Sequence, residues 1–395
     1  MSVKSAGNGA GAGFSSSEIL KQCRRVVIKI GSALLVDDER GTIHRQWLQA
    51  LAEDVVQCRA RGQEVILVSS GAIAAGRRQL GFADKALRLE ELQASAATGM
   101  LRLAHAYEEA LARHNVTLAQ VLLTLDDTEN RRRYLNARNT LSTLLKMGAV
   151  PLINENDTVA TDEIRVGDND RLAARVAAMI SADALILLSD IDGLYSSDPA
   201  SDPGARWIPV VEEITPEINA MAGHAISSVG TGGMVTKLAA ARIAMSAGCR
   251  MVITQGREEH PIRALEDGAR CTWFLPHSTP RAARKEWIAG SLKPLGAVVI
   301  DAGAEGALGK GKSLLPAGVT AVEGNFGRGD PIVVRCADGR QIAQGLTAYS
   351  SRDIDLIKGH KTSEIEGLLG YRGRDEVLHR DDMVLSERPS PDGKT

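Results

Sequence analysis

The sequence predicts an α/β fold, a mostly parallel sheet sandwiched by helices, joined to a small mainly-β domain. Three observations predict it. Six short apolar runs, RRVVIKI, QEVILVSS, VTLAQVLLT, AVPLI, ALILLS and RMVIT, alternate with stretches of helical periodicity. Runs apolar on both faces suit strands covered by helices on each side. Glycine-rich, small-residue or polar turns follow most of them, and past Arg270 the alternation gives way to short strands and turns such as GAVVIDAG, DPIVVRCADGRQIAQG and EGNFGRGD.

At 395 residues and 44% hydrophobic content, the chain can bury a sizeable core, and its length favours two domains or more. A net charge of -2 and a pI near 6.5 exclude a global polycation, so any nucleic-acid contact must come from a local patch. Cys23, Cys58, Cys249, Cys271 and Cys336 are odd in number and carry no zinc-type spacing, so they read as reduced structural thiols. No apolar run reaches the roughly 18 residues of a membrane span, and the opening MSVKSAGNGAGAGFSSSE has no secretory apolar region. A cytoplasmic address is the expectation. The boundaries expected are a disordered tail over 1–22, a first domain over 23–273, a linker over 274–290, a second domain over 291–385 and a disordered tail over 386–395.

In the first run the only interior charge is Lys29, directly before Ile30, Gly31 and Ser32. A buried lysine is unusual, and the Gly-Ser turn suits a phosphate approaching backbone N–H groups; an edge strand with its lysine in water is the alternative. Trp47, Leu51 and Val55 recur at helical spacing, and the second strand ends in a turn at Ser70 and Gly71. A long helix with Leu101, Leu103 and Leu111 follows. After the third strand, DDTENRRRYLNARN reads as a polar loop whose Arg131 to Arg133 form a solvated face, and Leu141, Leu144 and Leu145 mark the next helix.

The fourth strand delivers the chain into NENDTVATDEIRVGDND, residues 154–170, where carboxylates crowd together with Arg165 as the only cation. Such a run beside apolar segments points to a site for a cationic or metal-bound ligand, with an acidic surface hairpin as the plain alternative. Asp170 opens a helix, where capping is its structural role. The fifth strand ends at Ser189 and Asp190. SSVGTGGMVTKLAAARIAMSAG then reads as a glycine-rich loop running into a helix: Thr231, Gly232 and Gly233 leave N–H groups open to phosphate oxygens, and Lys237 can reach the same anion. In the second domain GALGKGKS, residues 306–313, matches the P-loop pattern, but Pro316 leaves no room for the helix a P-loop must open, so it reads as a flexible hairpin.

Two lysines, a glycine-rich helix start and carboxylates able to orient lysines or hold Mg²⁺ are equipment for phosphoryl transfer. No histidine stands out as a general base, which suits an acceptor already ionised at neutral pH, such as a carboxylate.

With these motifs in view, VVIKIGS, VSSGAIAAG, NENDTV, VGDNDRLAA, LLSDIDGLY and GTGGMVTKL, in this order, resemble the glutamate-phosphorylating members of the amino acid kinase family. RKEWI, GALGKGKSLLP, GNFGRGD, LGY and HRDD resemble the PUA domain attached to many of them. Ser32 and Ser189 stand where threonine is common there. The resemblance implies ATP-dependent phosphorylation of the γ-carboxylate of L-glutamate to glutamyl 5-phosphate, first step of proline biosynthesis, with ATP and Mg²⁺ as cofactors and proline as feedback inhibitor. It implies catalytic Lys29, Asp170 and Lys237, Asp170 holding both ammonium groups. Ser70, Asp157 and Asn169 would bind glutamate, Asp157 through the substrate's α-ammonium. Lys29, Ser189, Asp190, Thr231, Gly232, Gly233, Met234, Val235, Thr236 and Lys237 would contact the nucleotide, and no residue is assigned as a metal ligand. A homo-oligomer, dimer or tetramer, is expected, and RNA is a candidate ligand of the tail, ranked behind a structural or regulatory role. The alternatives are related kinases acting on acetylglutamate, aspartate, carbamate or UMP, and an RNA-binding PUA protein with a degenerate kinase domain.

Overall fold

In the computed structural model, residues 15–37, 39–82, 86–159, 168–222, 233–290 and 293–386 are described. The chain divides into two compact units, one of Met1–Thr128 with Ala137–Pro280 and the other of Glu129–Asn136 with Arg281–Thr395.

The first unit is built on an eight-stranded sheet. From one edge its strands are Val210–Val211, Cys271–Phe274, Arg250–Gln255, Ala184–Ser189, Arg25–Ile30, Glu64–Ser69, Val150–Glu155 and Leu118–Leu123. All neighbours run parallel except Cys271–Phe274 against Arg250–Gln255. The six expected strands are all present; the two extra ones, two and four residues long, are too short to leave a periodic signature. Arg25–Ile30 has five consecutive buried residues because it lies inside the sheet, paired on both sides, so the edge-strand alternative for Lys29 fails.

Helices cover this sheet. Arg45–Ala60 buries Trp47, Leu51 and Val55 along one face, as the spacing predicts. Leu89–Ala112 buries Leu103 and Leu111 but leaves Leu101 75% exposed, since two residues along a helix turn a side chain to the opposite side. Among the described residues no helix is long and apolar enough to cross a membrane.

Four expectations need correction. The tail over 1–22 is cut short by the helix Ser16–Gln22: Ser15 Oγ accepts from Glu18 N–H, Leu20 is buried, and Gln63 Nε2 donates to Leu20 O and Cys23 O. Residues 1–14 and 387–395 lie outside the described residues. The polar loop at 126–139 is helical, over Leu125–Glu129 and from Arg131 onward. Its polar residues are caps: Thr124 N–H donates to Asp127 Oδ2 and Asp127 N–H to Thr124 Oγ1, while Asn130 Oδ1 accepts from Arg133 N–H. The connector over 274–290 contains the helix Pro280–Gly290.

The second unit holds a five-stranded sheet in the order Val319–Gly324, Gly296–Ile300, Pro331–Cys336, Gln341–Leu346, Met383–Leu385, antiparallel except for the Gly296–Ile300 and Pro331–Cys336 pair. Its own core includes Val298, Phe326, Ile332, Tyr349 and Leu378. The fourth correction lies here, for GALGKGKS is the end of the helix Ala302–Gly309 and not a hairpin. Asp301 Oδ1 caps its start by accepting from Ala304 N–H, Leu308 is buried, and Gly311 at φ 73° closes it with N–H donation to Leu308 O. A P-loop needs this glycine run before a helix, and here it comes after one.

Candidate active site

Ligands of parallel α/β sheets bind beyond the strands' carboxyl ends, and the predicted residues gather there. Lys29 is the penultimate residue of Arg25–Ile30, Ser70 follows Glu64–Ser69, Asp157 lies two residues past Val150–Glu155, and Ser189 ends Ala184–Ser189. Register aligns these ends, Ile30 standing beside Ser69 on one side and Leu188 on the other.

The helix Asp168–Met179 packs against both Arg25–Ile30 and the helix Met234–Ser246, and so brings three charges together. Asp170 is fully buried; its Oδ1 lies 2.6 Å from Lys29 Nζ and its Oδ2 3.5 Å from Lys237 Nζ. Thr236 Oγ1 donates to the same Oδ2 at 3.0 Å. Burial opposes ionisation of Asp170, but the two ammonium groups and the hydroxyl outweigh it and hold the carboxyl below its usual range. The helix-capping role read from sequence is not what this side chain does: it faces the lysines.

Asp157 is also buried, with no cation among the described residues recorded against it: burial, partly offset by its own backbone N–H, pushes its carboxyl up to about 6. Such a group gains from a cationic partner. Asn169 Oδ1 is buried and has no hydrogen-bond partner among the described residues, which suits an acceptor facing a ligand N–H. Ser70 is half-buried and tied to the neighbouring strand by N–H donation to Ile30 O, and Gly71 at φ 87° supplies the left-handed turn that follows it. Asn154, buried and not among the sequence candidates, donates through Nδ2 to Ser69 O at 2.9 Å and fixes the strand end leading into Ser70. An amide at the end of a strand of otherwise apolar residues was its available signal.

Ser189 Oγ donates to Asp190 Oδ1 at 2.9 Å, and Asp190 is exposed. Gly233 precedes the helix Met234–Ser246 with extended backbone, and among the described residues an added Cβ there would meet nothing within 4 Å. Met234 and Thr236 are half-buried, Val235 is exposed and Lys237 is buried. Thr231 and Gly232 lie outside the described residues, as does Arg165.

Residues 24–255 match the amino acid kinase family. The chain belongs to that family. Residues 296–369 match the PUA domain. This family member is 64% identical over 366 residues to a glutamate 5-kinase of Paramagnetospirillum magneticum, covering 93% of this chain and 99% of that protein. It is 60% identical over 362 residues to a glutamate 5-kinase of Rhodospirillum rubrum, covering 92% and 96%, and 59% identical over 366 residues to one of Dinoroseobacter shibae, covering 93% and 99%. Among the described residues no three His, Cys, Asp or Glu side chains come together as a metal cage.

Proposed function

We propose that this amino acid kinase transfers the γ-phosphoryl group of ATP to the γ-carboxylate of L-glutamate, giving glutamyl 5-phosphate, the first step of proline biosynthesis. The observation that carries the chemistry is the buried grouping of Lys29, Asp170 and Lys237; the substrate rests on the identity to glutamate 5-kinases over nearly the whole chain.

A γ-carboxylate oxygen attacks the γ-phosphorus as the bond to the β–γ bridging oxygen breaks, and ADP carries away the electron pair. No proton moves, because a carboxylate with pKa about 4 is already ionised at neutral pH. The protein's task is position and charge. The ammonium groups of Lys29 and Lys237 receive the phosphoryl oxygens, while Asp170 keeps the two from drifting apart. Asp157 takes the α-ammonium of glutamate, a role supported by its burial, and Ser70 and Asn169 hold the remaining polar groups of the substrate. Ser189, Asp190 and the segment Thr231 to Lys237 hold the nucleotide. Mg²⁺, when bound with the nucleotide, would supply charge neutralisation, and no residue of the chain is assigned to hold it.

Proline shares the ammonium and α-carboxylate of glutamate, which supports competition for Asp157 and feedback inhibition. Five free, buried cysteines suit a reducing cytoplasm. Assembly into dimers or tetramers is read from the family alone. The test is coupled ADP release with ATP and Mg²⁺ over a panel of glutamate, acetylglutamate, aspartate, carbamate and UMP, with and without proline. Turnover that follows glutamate alone is the expected result; equal turnover with another acceptor sinks the assignment.

A further inference from the structure

Lys29 and Lys237 do not share Asp170 equally. Lys29 Nζ sits 2.6 Å from Oδ1, whereas Lys237 Nζ stands 3.5 Å from Oδ2, where Thr236 Oγ1 is the nearer partner at 3.0 Å. Thr236 immediately precedes Lys237 in the first turn of Met234–Ser246. Its hydroxyl also lies 2.8 Å from Gly233 O, but that carbonyl already accepts from Thr236 N–H and Lys237 N–H. A hydroxyl has one proton, and the ionised Oδ2 is the stronger acceptor.

We propose that Thr236 is a positioning residue, whose hydroxyl occupies Asp170 Oδ2 and so keeps Lys237 from collapsing into a tight pair with that carboxylate. This rests on the phosphoryl-transfer reading and assigns Thr236 a role other than nucleotide contact. Without the hydroxyl, Oδ2 draws the Lys237 ammonium to the usual charge-assisted distance of about 2.8 Å. The ammonium is then spent on Asp170 and withdrawn from the transferring phosphoryl group. With the hydroxyl in place, the carboxylate is fixed in rotation, Lys29 is clamped and Lys237 is held at a longer reach toward the anion.

The two roles for Thr236 separate in kinetics. Positioning acts on the transition state, so Thr236→Val and Thr236→Ala lower kcat by about 10- to 100-fold with little change in the ATP KM, whereas loss of a nucleotide contact raises the ATP KM. Thr236→Ser, which keeps the hydroxyl, returns kcat to within about threefold of the wild type. Val matches the shape of threonine and Ala suits a helix, so at least one hydroxyl-free variant stays folded, which thermal unfolding verifies. A second readout needs no turnover: in ¹³C-carboxyl NMR, with Asp170→Asn as the assignment control, the Asp170 titration midpoint falls in Thr236→Val and Thr236→Ala, because the ammonium that closes on Oδ2 favours the carboxylate more than the neutral hydroxyl it replaces, and it does not move in Thr236→Ser. Among the described residues the ammonium groups facing Asp170 are Lys29 from the strand and Lys237 from the helix, and neither is substituted in any of the three variants. Unaltered kcat with a raised ATP KM, equal losses in Ser and Val, or an unmoved Asp170 midpoint overturns the proposal. A wild-type chain that fails to turn over glutamate sinks the functional reading instead, and the NMR comparison then decides the Thr236 to Asp170 contact alone.

Discussion

Each unit buries a charged cluster, and the two are placed differently. In the second unit Arg284 and Asp382 pair at 2.6 Å with side chains 9% and 7% exposed, and the guanidinium also donates to Asp381 O and Tyr134 Oη. There the guanidinium meets a carboxylate, a backbone carbonyl and a phenol oxygen of the same unit. In the first unit two ammonium groups surround one carboxylate at the open end of the sheet. The Arg284 cluster fastens structure, tying the helix Pro280–Gly290 to the segment Glu129–Asn136 and to the residues just before the last strand. The Asp170 cluster lies at the strands' carboxyl ends, where parallel sheets take their ligands. Burial alone does not separate a rivet from a candidate site; position in the sheet does.

The largest expected effect is on the rivet. Asp382→Ala leaves Arg284 buried without its carboxylate and costs about 3–5 kcal/mol of stability, while kcat at a permissive temperature stays near normal. Chemical unfolding followed by assay at low temperature checks both halves, and a lost kcat in the folded variant would break the contrast. Next come Lys29→Ala and Lys237→Ala, each lowering kcat by about 10² to 10³ with the unfolding midpoint little changed. Asp170→Asn should resemble them, because an amide cannot hold two ammonium groups; near-normal kcat would return Asp170 to a helix-capping role.

Asp157 sharpens the comparison as a buried carboxylate with no cation recorded against it among the described residues. Its pKa is raised from 3.8 to about 6, so ionising it costs folding free energy. The stability it contributes is full below pH 3.8 and is lost as pH rises through about 6. Asp157→Asn therefore stabilises the unliganded protein at pH 8 by about 1–3 kcal/mol, a gain that vanishes in acid, and raises the glutamate KM far more than the ATP KM. In the wild type the glutamate KM climbs as pH falls below about 6. A changed ATP KM with an unchanged glutamate KM would reassign the residue.

The smallest effect is expected from removing residues 281–395. Every site residue lies earlier, and ADP release should stay within severalfold of the full chain. A cut at Arg284 would leave half a rivet, so Pro280 is the better end. The cut uncovers Leu135, which otherwise packs with Leu346, at a cost of about 1–2 kcal/mol. A folded truncation without activity would show that the second unit completes the site.

Much of this molecule was legible before any coordinates. Apolar runs at strand length gave the parallel sheet, because a strand buried on both faces admits little else. The positions of Lys29, Ser70, Asp157 and Ser189 relative to those runs gave the location of the site, since strand ends are a local property. Asn130 reads as loop, Thr124 as the end of a strand, and Asp301 not as a cap at all, because a polar residue beginning a helix looks like one in a loop or at a strand end until the bond to the third residue on is seen.

The sequence by itself determined the order of elements, the strand-end placement of the candidate residues and, through its motifs, the family. Tertiary structure decided who meets whom: that Lys29 lies inside the sheet and not at its edge, that Asp170 turns to two lysines and a threonine, and that Arg284 closes on Asp382. The reason is physical. Periodicity and turn chemistry act over a few residues and are written where they act, whereas an ion pair between residues far apart in the chain exists only once packing has closed the loop between them.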